Sequence, residues 1–203
     1  MPFARRDILR AGVAAAGLIA FRRPLWAATP GRTLSLYCVN TGECEVVEYF
    51  DGAAYPSDAL ATVEHLFRDY RTGETHPIDP ELLELLRTLQ DRLGSSGAVH
   101  VLSAYRSPAT NRAKRLAGRA VARRSFHLVG QAVDFFLPGC ELADVRDAAL
   151  DLGVGGVGYY PRSGFVHVDT GPPRTWQGDR PRRVARRSRK ARSQPPKKRR
   201  VAK

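Results

Sequence analysis

Two short segments hold residues whose types and spacing could do chemistry. In "SFHLVGQAVDFF", residues 125–136, His127 and Asp134 lie seven positions apart at the entry to an apolar strand. In "GFVHVDT", His167 and Asp169 flank one valine. Side chains alternate along a strand, so Ala132, Asp134 and Phe136 share one face, as do Phe165, His167 and Asp169. If the two strands are neighbours, Asp134 and His167 project together toward the loop that carries His127. An aspartate on the inner face of an apolar strand is costly unless a cation neutralises it, and a divalent metal or an arginine would serve. Two imidazoles and one carboxylate are a typical ligand set for catalytic zinc, with a fourth position left for water. A zinc ion so held lowers the pKa of that water and polarises a scissile carbonyl. The other three histidines are ordinary by comparison. His65 lies in an amphipathic helix, His76 in a polar loop and His100 beside apolar strand residues, and each reads as structural or solvated.

The elements that must position these residues follow from local patterns. "TLSLYCVN" and "CEVVEYF" flank the turn signal Asn40-Thr41-Gly42 and read as two antiparallel strands. "PSDALATVEHLFRDY" is a helix with Ser57 or Asp58 as cap and Leu60, Val63, Leu66 and Phe67 on one face. "DPELLELLRTLQDRLG" starts at an Asp cap with Pro80 in the first turn and stops at Gly94. A strand in "VHVLSAY", a short helix entered through Ser107-Pro108, a strand in "QAVDFFL" and a helix in "LADVRDAALDLG" follow. "GGVGYY" and "GFVHVDT" close the series as a hairpin across "PRSG". This mixture, ending in a hairpin, is an α+β domain whose sheet is mainly antiparallel and packed by helices.

The chain has 203 residues and a net charge of +13, but the charge is not spread evenly. Residues 177–203 carry 13 Arg or Lys against Asp179 alone, and residues 1–28 carry five Arg against Asp7. Residues 29–176 hold 15 basic and 18 acidic side chains, so the globular part is mildly acidic. That distribution argues against specific nucleic-acid binding by the domain. Residues 1–28 read as an export signal: "ARRDILR", the short apolar run "AGVAAAGLIAF", and small residues at Ala27-Ala28. The pair Arg5-Arg6 resembles a twin-arginine signal, and the run is shorter than the roughly 20 residues a membrane span needs. A periplasmic location follows from that reading. From about Pro172 apolar periodicity ends, and 177–203 reads as a disordered basic tail suited to anionic envelope polymers or lipid headgroups. Cys38 and Cys44 flank the first turn and could face each other in an oxidising compartment, leaving Cys140 free.

"SFHLVGQAVD" fits the pattern S-x-H-x-x-G-x-A-x-D. It resembles the signature of the LAS zinc metallopeptidases, the clan of D-Ala-D-Ala carboxypeptidases and hedgehog-like domains. "SAYRSPATN", "GGVGYYPRSGFVHVDTGPPRTW" and "FDG…LFRDYR" extend the likeness, over roughly residues 33–176, to the YcbK-type murein endopeptidase family. The resemblance implies a small hedgehog/D-Ala-D-Ala peptidase-like domain at 29–176, one zinc ion on His127, Asp134 and His167, and a monomer. It implies that Gly130 turns the chain between the first two ligands and that Ala132 is small toward the metal. Arg106 matches the arginine that holds the substrate carbonyl, stabilises its oxyanion or clamps a carboxylate. Ser125 matches a serine that binds substrate or orients the site. Wider members of the clan place an acid or histidine two or three residues before the last ligand, where this chain has Phe165 and Gly164. Asp169 is therefore either the catalytic base or a carboxylate that orients a ligand histidine, the second being preferred. Of the tyrosines in "VGYY", Tyr159 is assigned to the substrate groove. The implied substrate is the peptide cross-link of peptidoglycan. A D,D- or L,D-carboxypeptidase and a non-catalytic, zinc-stabilised murein-binding module remain open beside the endopeptidase.

Overall fold

The computed structural model describes residues 30–118 and 121–179. The expected signal at 1–28, and the tail beyond residue 179, lie outside the described residues. Seven strands form one sheet: β1 (Arg32–Cys38), β2 (Cys44–Phe50), β3 (Val99–Ser103), β4 (Ala132–Phe136), β5 (Gly156–Tyr160), β6 (Phe165–Asp169) and β7 (Arg174–Gln177). Their order is β2-β1-β3-β4-β6-β5-β7. Four of the six pairings are antiparallel; β1 with β3 and β5 with β7 are parallel. Four helices accompany them: α1 (Ser57–Leu66), α2 (Pro80–Leu93), α3 (Pro108–Leu116) and α4 (Leu142–Leu152). The α+β class and the mainly antiparallel sheet are as expected. Among the described residues no helix is long and apolar enough to cross a membrane.

Strand alternation divides the sheet into an apolar and a chemical face. Val99 and Val101 of β3, Val133 and Phe135 of β4, Val157 of β5 and Val166 and Val168 of β6 join the core. They meet Leu82, Leu83, Leu86 and Leu89 of α2 and Val145 and Ala149 of α4, all buried. The helical leucines recur at three- and four-residue intervals, which puts one continuous apolar stripe of α2 against the strands. The intervening strand residues, Ala132, Asp134, His167, Asp169 and Gly158, point the other way. A single 3-10 turn at Phe126–Val129 lies over that second face and carries His127.

Helix α2 begins and ends as its sequence requires. Asp79 accepts from the Glu81 amide, Pro80 fills the first turn and Gly94 adopts the left-handed C-terminal conformation. Ser107 caps α3 by accepting from the Thr110 amide at 3.2 Å. Helix α1 differs from expectation: its N-cap is Pro56, and neither Ser57 nor Asp58 makes a side-chain cap. Cys38 and Cys44 are free thiols on opposite faces. Cys44 stands across from Tyr37 in the ladder, so Cys38, one residue on, turns inward. Its Sγ donates to the Leu66 carbonyl at 3.1 Å, and burial pushes the thiol up to about 11.

The expected domain edge at 176 falls inside β7. Gly178 donates its amide to the Tyr159 carbonyl, and the Asp179 carboxylate accepts from the amides of Arg162 and Ser163. The strand was illegible from apolar pattern because it is a four-residue edge strand of polar residues and one tryptophan, with only Trp176 partly sheltered.

Gly130 ends the 3-10 turn with φ +69°, and its carbonyl accepts from the Asp79 amide at 3.1 Å. A methyl group there would strike the Pro77 carbonyl oxygen, a backbone atom. Gly130→Ala therefore combines left-handed strain with a clash. It is expected to lower unfolding free energy by roughly 2–4 kcal/mol, read as the urea midpoint of otherwise unaltered protein.

Candidate metal centre

β4 and β6 pair antiparallel with Asp134 directly opposite His167, and the 3-10 turn lowers His127 onto the same spot. His127 Nε2 lies 3.2 Å from His167 Nδ1 and 3.3 Å from Asp134 Oδ1. His167 Nδ1 lies 2.8 Å from the same Asp134 oxygen. All three side chains are buried, and together they form a group able to hold a metal ion.

The outward nitrogens fix what the inward ones present. His127 Nδ1 is 2.6 Å from the Ala104 carbonyl, which can only accept, so Nδ1 carries the proton. His167 Nε2 is 2.9 Å from Asp169 Oδ2. Burial would raise the Asp169 carboxyl, but hydrogen bonds from His167 and Arg174 hold it well below the usual carboxylate range, so it too only accepts. With both imidazoles neutral, His127 Nε2, His167 Nδ1 and Asp134 Oδ1 are three acceptors facing one another with no proton between them. Only a cation makes that arrangement favourable. Ligands about 2.0–2.2 Å from a tetrahedral ion stand about 3.3–3.6 Å apart; the two separations from His127 lie at the lower edge of that range, and the 2.8 Å between His167 and Asp134 is shorter. A proton is the alternative cation. Although burial alone would lower His167, its bonds to Asp134 and Asp169 carry its pKa upward. His127, with its second nitrogen spent on a neutral carbonyl, is pushed down by burial. In that protonated state of the cluster, burial opposes the ionisation of Asp134, yet the imidazoles and their hydrogen bonds keep it ionised far below the ordinary range.

Asp169 itself is fully enclosed, on the far side of the His167 ring from Asp134. Its Oδ1 accepts from the Gly156 and Gly171 amides at 3.0 Å each and from Arg174 Nη1 at 2.9 Å. Its Oδ2 accepts from His167 and from Arg174 Nη2. A carboxylate has about four lone pairs, and five donors use them all. Both oxygens are thus taken up by donors of the protein, one of them the His167 ring.

Arg106 reaches the cluster from the loop between β3 and α3. Its backbone amide donates to the His127 carbonyl at 3.0 Å, which ties the guanidinium and His127 to one frame. The loop is anchored from below by Asp69, which accepts from the Ser107 and Arg71 amides. Arg106 is only 6% exposed, and its Nε has no hydrogen-bond partner. Nη2 lies 3.6 Å from Asp134 Oδ2 and 3.5 Å from Ser103 Oγ, loose contacts for a buried cation. Burial pushes the guanidinium down against the opposing pull of Asp134. The geometry leaves donors to spare beside the cluster.

Ser125 precedes the 3-10 turn and lines a groove of about 610 Å³ that also contains Arg106, His127, Asp134 and His167. Tyr159 does not reach that groove. It shares the helix-covered face with Val157, where it packs against the core under the Arg146 guanidinium, 4.6 Å from the ring centre. Tyr160 lines the groove instead. The parity was readable: a four-residue turn pairs Tyr160 with Phe165 and Gly158 with His167, so Tyr160 shares the histidine's face. Arg174 and Trp176 were also missed as site residues, because β7 was not recognised. Trp176 lies against the His167 ring at 5.0 Å, and Arg174 lies over Phe126 at 4.8 Å.

Residues 26–176 match the family described as peptidoglycan L,D-endopeptidase MepK, within peptidase family M15. The chain belongs to the MepK family. The peptidoglycan L,D-endopeptidase MepK of Escherichia coli strain K12 is 46% identical over 175 residues, which cover 85% of this chain and 96% of that protein. A probable MepK of Haemophilus influenzae is 41% identical over 148 residues, 72% of this chain and 80% of its own length. No solved structure matches the chain. The MepK match takes in the 3-10 turn, the strands that carry Asp134 and His167, the arginine loop and β7 as far as Trp176.

Because Asp169 sets the tautomer of His167, Asp169→Asn is expected to weaken metal binding by about 10–100-fold. Competition with a chromophoric chelator reads that change directly, and circular dichroism checks that the fold is kept.

Proposed function

We propose that this chain is an exported, zinc-dependent peptidoglycan endopeptidase that cleaves L,D peptide cross-links. The observation that carries the reading is the set of three mutually facing acceptors on His127, Asp134 and His167, beside a buried arginine with unused donors. Family membership, with relatives named as peptidoglycan L,D-endopeptidases, supplies the substrate class and favours an endopeptidase over a carboxypeptidase or a binding module. The same kinship and the reading of residues 1–28 support a periplasmic location; the twin-arginine route rests on Arg5-Arg6 alone.

The roles follow from the surroundings of each group. Zinc, when bound, would supply Lewis acidity, lowering the pKa of a water to about 7 and polarising a peptide carbonyl. His127 Nε2, His167 Nδ1 and Asp134 Oδ1 would hold the ion, and the carboxylate would bring its charge nearer to neutral. His127 keeps its proton on Nδ1, against the Ala104 carbonyl, so its ring cannot rotate away from the site. Asp169 holds the His167 proton on Nε2 in the same way. Arg106 gives its spare N–H groups to the carbonyl oxygen of the scissile bond as negative charge collects there. In a water-poor site such a donor stabilises the transition state far more than it would in solution. Ser125, at the groove's lip, is placed to hydrogen-bond the peptide backbone.

Purified protein incubated with cross-linked muropeptide dimers should convert them to monomers, lose this activity to a chelator and regain it with added zinc. Dimers left intact by zinc-loaded protein that still binds sacculi would defeat the enzyme reading in favour of a binding module. Arg106→Lys keeps the charge but loses the planar fork of donors. It is expected to lower kcat by about 100-fold while zinc content stays at one per chain.

A further inference from the structure

Sheet order places four functional elements in line across the chemical face. Arg106 leaves the end of β3, Asp134 sits on β4, His167 on β6 and Tyr160 on β5, and β3-β4-β6-β5 is the spatial sequence of strands. The cluster is thus flanked by a guanidinium on one side and a phenol on the other, and both line the same groove. Tyr160 is the diagonal neighbour of His167 on that face, since Gly158 is directly opposite the histidine and Tyr160 lies two residues further along β5. A tyrosine spans such a diagonal readily.

The phenol is held with unusual care for a residue at a strand end. Trp176 Nε1 donates to the Tyr160 hydroxyl at 2.8 Å. That bond occupies a lone pair and leaves the hydroxyl its own proton to give. Phe165 stacks on the ring at 4.4 Å with the planes 17° apart. The indole reaches its place because β5 has no side chain at Gly158: a methyl carbon there would come within 2.6 Å of the Trp176 ring. Gly178 makes similar room for the Tyr160 ring. Burial raises the phenol above its ordinary pKa, against the hydrogen bond from Trp176, so it stays protonated.

We infer that Tyr160 is a catalytic residue that donates a hydrogen bond from its hydroxyl to the oxyanion forming at the scissile carbonyl, opposite Arg106, with Trp176 and Gly158 as positioning residues. The inference rests on the endopeptidase reading above. Tyr160 keeps its proton throughout, so no bond to it is made or broken. It also accounts for β7: a polar edge strand with little core to cover carries the one indole that fixes the phenol.

Tyr160→Phe preserves the ring and its stacking and removes the hydroxyl, which is both the donor and the acceptor that Trp176 Nε1 uses. With zinc-loaded protein and cross-linked dimers, kcat is expected to fall about 100-fold, with KM within about twofold and zinc content unchanged. A phosphinic analogue of the cross-link carries a tetrahedral anionic centre, and calorimetry should show its affinity falling by about the same factor. Binding of the cleaved peptides should hold. Trp176→Phe should lower kcat by about 10-fold, and the double variant should be no slower than Tyr160→Phe, since the indole acts through the phenol. Wild-type kcat and phosphinic affinity in Tyr160→Phe overturn the inference, as does a rise in KM alone. Loss of zinc or of thermal stability in that variant overturns it in favour of a structural role. A zinc-loaded wild type that neither cleaves dimers nor binds the phosphinic peptide overturns the endopeptidase reading, and this inference with it.

Discussion

Three electron-pair donors pressed together in a buried place need a positive charge between them, and much of this domain exists to keep them there. Left to themselves, two neutral imidazoles and a carboxylate at about 3 Å would part or take up a proton. They stay because each outward atom is tied to something rigid. The Ala104 carbonyl holds His127, the Asp169 carboxylate holds His167, and the pairing of β4 with β6 sets Asp134 opposite His167. Asp169 is in turn held by two amides and Arg174. The chain of restraint runs from the cation site through a carboxylate to the last strand of the sheet.

The helix-covered face supplies the rigidity that this demands. Valines of β3 to β6 and the leucine stripe of α2 make one dry layer, and every second strand residue inherits its position from that layer. The alternating parity lets one sheet bury an apolar core on one side while presenting Asp134, His167 and Tyr160 on the other. Loops bring the rest. Asp69 anchors the arginine loop, and Asp79, besides capping α2, accepts from Gln131 and Thr170 and so joins the turn after His127 to the strand carrying His167.

Much of this was legible before any coordinates. The convergence of His127, Asp134 and His167 could be read because particular residue types recur at a spacing that two neighbouring strands explain. Helix α2 was legible at both ends because Asp79, Pro80 and Gly94 are local signals that tertiary packing had no cause to override. Misreadings arose where a property depends on pairing partners far away. The choice between Tyr159 and Tyr160 turns on hairpin register, and the facing of Cys38 and Cys44 on ladder alternation. Strand β7 has no hydrophobic period because its backbone, the Arg174 guanidinium and one indole are what the structure recruits, and a parallel partner more than ten residues away leaves no turn signature.

Strand β7 also decides where the wall of the centre ends. It follows His127, Asp134 and His167 in the chain, yet Arg174 braces Asp169 and Trp176 lies against the His167 ring. A molecule ended just after Asp169 would keep all three clustered side chains and lack both of those supports. The stretch of chain needed to seat the cluster is thus longer than the stretch that supplies it.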